Sequence, residues 1–302
     1  MIHEPTVLVL GAGASMDFQY PSGFGLKRRV LDVLGPQQPI RALVQACGFD
    51  QLSIQNFRTA LAHSGALSVD TFLEHQSQYL ALGKAAIAAA LIPLENADNL
   101  FPPSSSPTWL ELLLQRLHGP LDSWNNNQLS VVTFNYDRVI EQFFSQALMS
   151  RYRISLQKAA ALLQETVSIV HVHGSLGALP HFNTLLSRPY SPQLSTPIIQ
   201  EAASGIMIVH EGTSGSPEFE KAKELIRKSV HVVFIGFGYN PTNLERLDIR
   251  RLGQNLRLMG TSVGMTPIEC VVAKEAVGVP INIDTDGFSP VEFLRNYRIL
   301  GL

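Results

Sequence analysis

Apolar positions along this chain switch between two spacings. Thr6-Val-Leu-Val-Leu10 is a continuous β-rich run closed by Gly11, the pattern of a strand covered on both faces in a parallel sheet. Gly11-Ala-Gly13-Ala-Ser15 predicts a tight turn of small residues. Leu26, Val30, Leu31, Val33 and Leu34 then give a helical stripe that stops at Gly35-Pro36. From about 40 to 120, residues such as Leu43, Phe57, Leu61, Phe72, Leu73, Tyr79 and Leu82 fall on helical spacings with no strand among them. This stretch reads as a helical insertion. It ends in a Pro/Ser loop at 102–107 and a helix bearing Trp109, Leu110, Leu113, Leu114 and Leu117, with Thr108 and Glu111 placed as a capping box.

Beyond the insertion, strands are expected at 129–133, 167–172, 205–209, 230–235, 268–273 and 280–283. Between them come a helix with Val139, Ile140, Phe143, Phe144 and Ala147 and a second opened by Ser216-Pro217-Glu218; a final helix is expected at 291–297. Alternating elements predict an α/β fold, a Rossmann-like parallel sheet with helices on both faces. Residues 1–302 read as one domain, with 40–120 inserted in it.

Composition narrows the function. Lys+Arg 23 against Asp+Glu 25 leaves a net charge of −2, so the chain has no general electrostatic grip on a nucleic-acid backbone. Hydrophobic residues at 45% supply a sizeable core, and the low charged fraction of 16% leans toward apolar surface covered by other subunits. The two cysteines, Cys47 and Cys270, exclude a four-cysteine zinc site within the chain. No signal peptide is visible at Met1-Ile2-His3-Glu4-Pro5, and the apolar stretch 80–94 falls short of the ~20 residues of a membrane span, so it reads as a buried or interface helix. A soluble, cytoplasmic protein is expected.

In a parallel open sheet, ligands bind outside the carboxyl ends of the strands. Four such ends carry unusual residues: Gly11-Ala-Gly13, Thr133-Phe-Asn135-Tyr-Asp137, His171-Val-His173-Gly174 and Gly236-Phe-Gly238-Tyr239. The first suits a pyrophosphate, or is a plain tight turn. Met16 replaces the third glycine of the dinucleotide fingerprint and Asp32 lies within a helical stripe, which disfavours a hydride-transferring dehydrogenase. Asn135 suits a ribose or a water. Asp137 suits a carboxamide, or else caps the helix beginning near Arg138. His171 and His173 alternate and so face one side of the sheet. His171 reads as a core residue, while His173 at the strand end can act as a general base near neutral pH. The rival is a metal on the His-x-His, which would need ligands from His181, His210, His231 or distant carboxylates, and no spacing supports it. His3, His63, His75 and His118 read as ordinary surface or helix residues.

Taken together and in this order, Gly-Ala-Gly-Ala-Ser at 11–15, Thr-Phe-Asn-Tyr-Asp at 133–137, Val-His-Gly at 172–174 and Ile-Gly-Phe-Gly-Tyr at 235–239 resemble the sirtuin-like superfamily, in particular its bacterial branch of anti-phage defence proteins. The matching segments are short, but their order extends from roughly 6 to 283. The resemblance implies that Gly11, Ala12, Gly13 and Ser15 hold the diphosphate of NAD+. It implies that Asn135 positions the nicotinamide ribose and a water, that Asp137 binds the carboxamide, and that His173 is the catalytic base. Gly236, Gly238 and Asn282 match contacts to the adenosine half. Protein deacylation is disfavoured, because the zinc cysteines are missing and Met16-Asp-Phe-Gln-Tyr-Pro-Ser-Gly23 lacks the Pro-Asp-Phe-Arg signature of deacylases. The activity implied is NAD+ hydrolysis to nicotinamide and ADP-ribose, depleting NAD+ during infection, without a metal. The alternatives are an NAD or ADP-ribose sensor and an ADP-ribosyl transferase. Implied partners are further copies in a homo-oligomer or a HerA-type ATPase, with no direct contact to nucleic acid or membrane.

Overall fold

The structure, a computed structural model, describes residues 1–117, 119–182, 187–208, 216–251 and 256–296. Six parallel strands build one sheet: β1 (Thr6–Leu10), β2 (Leu129–Thr133), β3 (Val167–His171), β4 (His231–Ile235), β5 (Arg257–Gly260) and β6 (Ile281–Ile283). Their spatial order is β3-β2-β1-β4-β5-β6, the Rossmann-like arrangement in which strand order reverses between β1 and its neighbour β4. All five residues of β1 are buried, as a central strand covered on both faces requires.

Alternation along the strands feeds two cores. Leu8, Leu10, Val131 and Ile235 point to one face, and Val7, Val9, Val132 and Phe234 to the other. The helices, in chain order, are α1 (Gly23–Val33), α2 (Pro39–Ala46), α3 (Gln51–His63), α4 (Val69–Glu74), α5 (Leu80–Leu91), α6 (Trp109–Arg116), α7 (Val139–Tyr152), α8 (Leu156–Thr166), α9 (Thr196–Gly205), α10 (Pro217–Arg227), α11 (Pro241–Arg246), α12 (Pro267–Val277) and α13 (Pro290–Asn296). Helices α10, α11 and α12 cover the Val7/Val9 face, and the others contribute to the core of the opposite face.

Between α1 and β2 the chain forms the helices α2 to α6. They are tied to α1 by Lys27, whose ammonium donates to Ala66 O (2.7 Å), and by Arg29, which donates to Ala90 O (2.6 Å). The stretch Ser77–Leu94 has the length and apolarity of a membrane-crossing helix, yet Leu82–Ile92 is buried except at Lys84, with α5 packed between α1 and α9. The capping box of α6 forms as expected: Glu111 N–H donates to Thr108 Oγ1 (3.3 Å) and Thr108 N–H to Glu111 Oε2 (2.7 Å).

Two expected strands are not strands. The 268–273 segment belongs to α12, because Thr266, Pro267 and Glu269 form a complete helix start, with Thr266 N–H donating to Glu269 Oε2 at 2.7 Å. Its β-branched Ile268, Val271 and Val272 face solvent, while Cys270, Ala273 and Val277 keep a helical stripe against the core. The 205–209 segment begins at the last residue of α9; Ile206 makes an isolated bridge to Gly174, and Val209 lies outside the described residues. His118, His210 and Tyr297 lie outside them too.

Candidate functional site

Where strand order reverses, the connections leaving β1 and β4 run to opposite sides and leave a crevice outside their carboxyl ends. The two loops touch there through backbone. Gly11 N–H donates to Ile235 O (3.1 Å) and Gly13 N–H to Gly236 O (3.0 Å). A Cβ on Gly13 would lie 2.7 Å from Gly236 Cα, and one on Gly236, where φ is +58°, would lie 2.1 Å from Ala14 N. Glycine at 11, 13 and 236 is therefore demanded by this contact, and the Gly11 and Gly13 N–H groups are already used. A Cβ on Gly238 would meet nothing within 4 Å. The turn does not run directly into an α-helix: Ala12–Phe18 is a 3₁₀ helix, and α1 starts at Gly23, capped by Ser22.

Ser15, Asn135 and Asp137 meet beside this loop. The Asn135 amide nitrogen donates to Gly11 O (2.9 Å) and Ser15 Oγ (3.1 Å), which leaves its oxygen as the side chain's remaining group for a ligand. The Ser15 hydroxyl lies beside the Asp137 carboxyl and favours its charged form. Asp137 Oδ1 accepts from Val139 N–H (3.1 Å), so the residue caps α7 as well as facing the cluster. Burial pushes the Asp137 carboxyl up to about 6, against the lowering effect of Ser15, Val139 N–H and the charge of His171. Ala12, Ser15, Asn135 and Asp137 line a cavity of about 70 Å³, together with Asp70 and Tyr136. It holds one small group at the floor of the open crevice, below the roughly 300–1,000 Å³ usual for a whole small-molecule site.

The two histidines do not share a side. Strand β3 ends at His171, and Gly174 N–H donates to His171 O (3.2 Å), closing a turn that carries His173 away from strand alternation. His171 lies on the α7 side, with Nδ1 2.9 Å from Asn135 O and Nε2 2.7 Å from Glu141 Oε1. His173 packs among Phe134, Tyr136 and Phe219, with ring centroids 5.4, 6.4 and 6.0 Å away. Its Nε2 is buried and has no partner among the described residues. Burial pushes His173 below its ordinary value, which keeps it neutral near pH 7; Asp70 opposes this and Arg246 reinforces it. With both His171 nitrogens engaged elsewhere, the His-x-His pair does not present two nitrogens to one ion. His231, another residue considered as a ligand, bonds Glu4 at 2.7 Å.

Asn282 stands apart. It is exposed on the edge strand β6, with β4 and β5 between it and β1. Residues that sequence reading missed include Asp70, delivered from the insertion, and Glu141, which supports His171. Also missed is a buried ion cluster behind the site, in which Glu95 joins Arg138 (2.7 Å) and Arg188 (2.5 Å). Arg138 further donates to Ala178 O, Arg188 O and Pro189 O, fixing these three residues to the start of α7. Only the position of Arg138 directly after Asp137 hinted at it. A larger hollow of about 410 Å³ on the outer side of β3, lined by Arg138, Glu141 and Lys221 among others, contains none of the predicted residues.

Searches against models of known protein families and against curated proteins found no match to this chain.

Proposed function

We propose that this protein hydrolyses NAD+ at the nicotinamide–ribose bond, releasing nicotinamide and ADP-ribose. The observation that carries the reading is the meeting of Ser15, Asn135 and Asp137 on one cavity at the switch point, with the buried His173 behind the cavity residues Phe134 and Tyr136. Nicotinamide in NAD+ is already a cationic leaving group, so catalysis needs positioning, shelter from bulk water and one nucleophile. The Asp137 carboxylate accepts from the carboxamide N–H. The free oxygen of Asn135 accepts from a ribose hydroxyl or the attacking water. Neutral His173 takes the water's proton as C1′ gains positive character. The open approach at Gly238 leaves room for the adenosine half along the second loop. The enclosure of His173, 6% exposed, supports a second reading in which the site binds NAD+ or ADP-ribose as a sensor, or transfers ADP-ribose to an acceptor that completes it.

The resemblance noted above extends the proposal to cytoplasmic NAD+ depletion in anti-phage defence, restrained by a homo-oligomer or a HerA-type ATPase. The test is chromatography of NAD+ incubated with the purified chain and with His173→Ala. Nicotinamide and ADP-ribose released by the wild type alone support hydrolysis. Binding without cleavage supports the sensor, a labelled macromolecule the transferase, and absence of binding removes all three.

A further inference from the structure

Helix α4 of the insertion reaches the site. It is seated from below: a Cβ on Gly83 of α5 would lie 2.5 Å from both Leu73 methyl carbons, so the bare glycine is the socket for Leu73. Phe72 stacks on Tyr79 and meets Phe57 edge-on. Ser68 caps the helix, accepting from Thr71 N–H at 3.1 Å. Asp70 and Glu74, one turn apart, both reach outward from it. Asp70 accepts from the Tyr136 hydroxyl, and Glu74 pairs with Arg246 of α11 at 3.0 Å. The helix thus bridges the loop after β2 and the helix after β4, with Asp70 in the wall of the cavity.

Among the described residues, the rings of Phe134, Tyr136 and Phe219 surround His173, and Asp70 of α4 reaches this cage through the Tyr136 hydroxyl, whose ring stands 6.4 Å from the imidazole; Asp70 favours the charged imidazole and Arg246 of α11 opposes it. A neutral imidazole suits that cage, but an imidazolium formed in it needs an anion. We infer that Asp70, supplied by the insertion, is a positioning residue for His173, stabilising the proton that His173 takes up in the reaction. The inference rests on the hydrolase reading. In the step, the C1′–N bond breaks with its electron pair leaving on the nicotinamide ring nitrogen, and neutral nicotinamide departs. Water oxygen bonds C1′, and its proton passes to His173. The imidazolium, stabilised by the Asp70 charge behind Tyr136, then returns the proton to solvent, so NAD+ and water give nicotinamide, ADP-ribose and H+.

The experiment compares wild type with Asp70→Asn and Asp70→Ser, both uncharged and both able to accept from Tyr136, by kcat against pH and by NMR titration of the His173 ring. Removing the carboxylate is expected to lower kcat by about tenfold to a hundredfold. It also shifts the acid limb of the profile, and the NMR titration of His173, to lower pH. Asp70→Glu restores part of both. A merely structural role would scale the profile without moving the limb. Unchanged kcat and an unmoved His173 titration in a folded variant overturn the inference. Should the wild type leave NAD+ intact, the hydrolase reading fails, and the NMR titration of the free protein still decides whether Asp70 governs His173.

Discussion

His171 links the backbone of Asn135 to the side chain of Glu141, its two ring nitrogens lying 2.9 Å from Asn135 O and 2.7 Å from Glu141 Oε1. Burial alone would depress this imidazole. Glu141 and the Asn135 carbonyl outweigh burial and hold it above the ordinary 6.5, so both nitrogens carry protons and donate. A raised folded value means that the stabilisation is fully present below pH 6.5 and is lost as pH rises through the folded value. Glu141 behaves oppositely. Burial would raise it, but His171 holds it below 4.5, so its contribution is present above pH 4.5 and is lost as pH falls through the folded value. The melting-temperature advantage of wild type over His171→Gln should therefore peak between about pH 4.5 and 6.5 and shrink on the alkaline side. A gap that widens from pH 6.5 upward contradicts the protonated bridge.

Asp137 carries a stability cost. With its carboxyl pushed from 3.8 up to about 6, the folded state loses stability as pH rises between those values. Asp137→Asn should stabilise the protein above pH 6 by on the order of 1–3 kcal/mol, with the gain vanishing toward pH 4. The same change should abolish NAD+ cleavage, because the anionic acceptor for the carboxamide is gone. Urea unfolding at pH 5 and 8, alongside product chromatography, checks both; a less stable variant at pH 8 would refute the burial argument.

The glycines divide by role. Gly236→Ala meets Ala14 N and adopts φ +58° with a side chain, so it should destabilise by more than about 3 kcal/mol or fail to fold. Gly238→Ala meets open space and should cost less than about 1 kcal/mol. If adenosine lies along that loop, Gly238→Ala raises the KM for NAD+ while the melting temperature hardly moves. Equal losses of stability at the two positions would count against the assignment.

Glu95 is fully buried between two guanidiniums. Glu95→Ala leaves Arg138 and Arg188 uncompensated and should cost about 3–5 kcal/mol, the usual penalty for removing one partner of a buried ion pair. Denaturant unfolding of the variant measures it. A loss under about 1 kcal/mol would mean that the carbonyls around Arg138 already balance the charge.

The sequence was most legible where burial and chemistry coincide. The strands β1, β2 and β4 are continuous apolar runs, and each ends in a glycine or polar motif that the fold brings to the crevice. Ser15, Asn135 and Asp137 were readable for that reason. It was least legible where a local rule met a tertiary exception. The β-branched residues of α12 suggested a strand because nothing in their own spacing reveals that they face solvent. Strand β5 was missed because Arg257-Leu-Met-Gly260 is short, and only Leu258 and Gly260 are buried. Strand alternation failed for His173 because the turn closed by Gly174 ends β3 two residues earlier. Asp70 could not be found at all, since its place in the site depends on Leu73 seating on Gly83 and on a hydroxyl from a distant strand end.

The order of the sheet also has a consequence during synthesis. Thr6 pairs with Leu129 on one side and His231 on the other, so β1 is completed by a strand made more than two hundred residues later. Until the ribosome has passed Gly236, the Gly11–Gly13 turn has no second loop to rest on, and the crevice has one wall. If the protein consumes NAD+, a chain terminated before β4 has no closed crevice in which to do so.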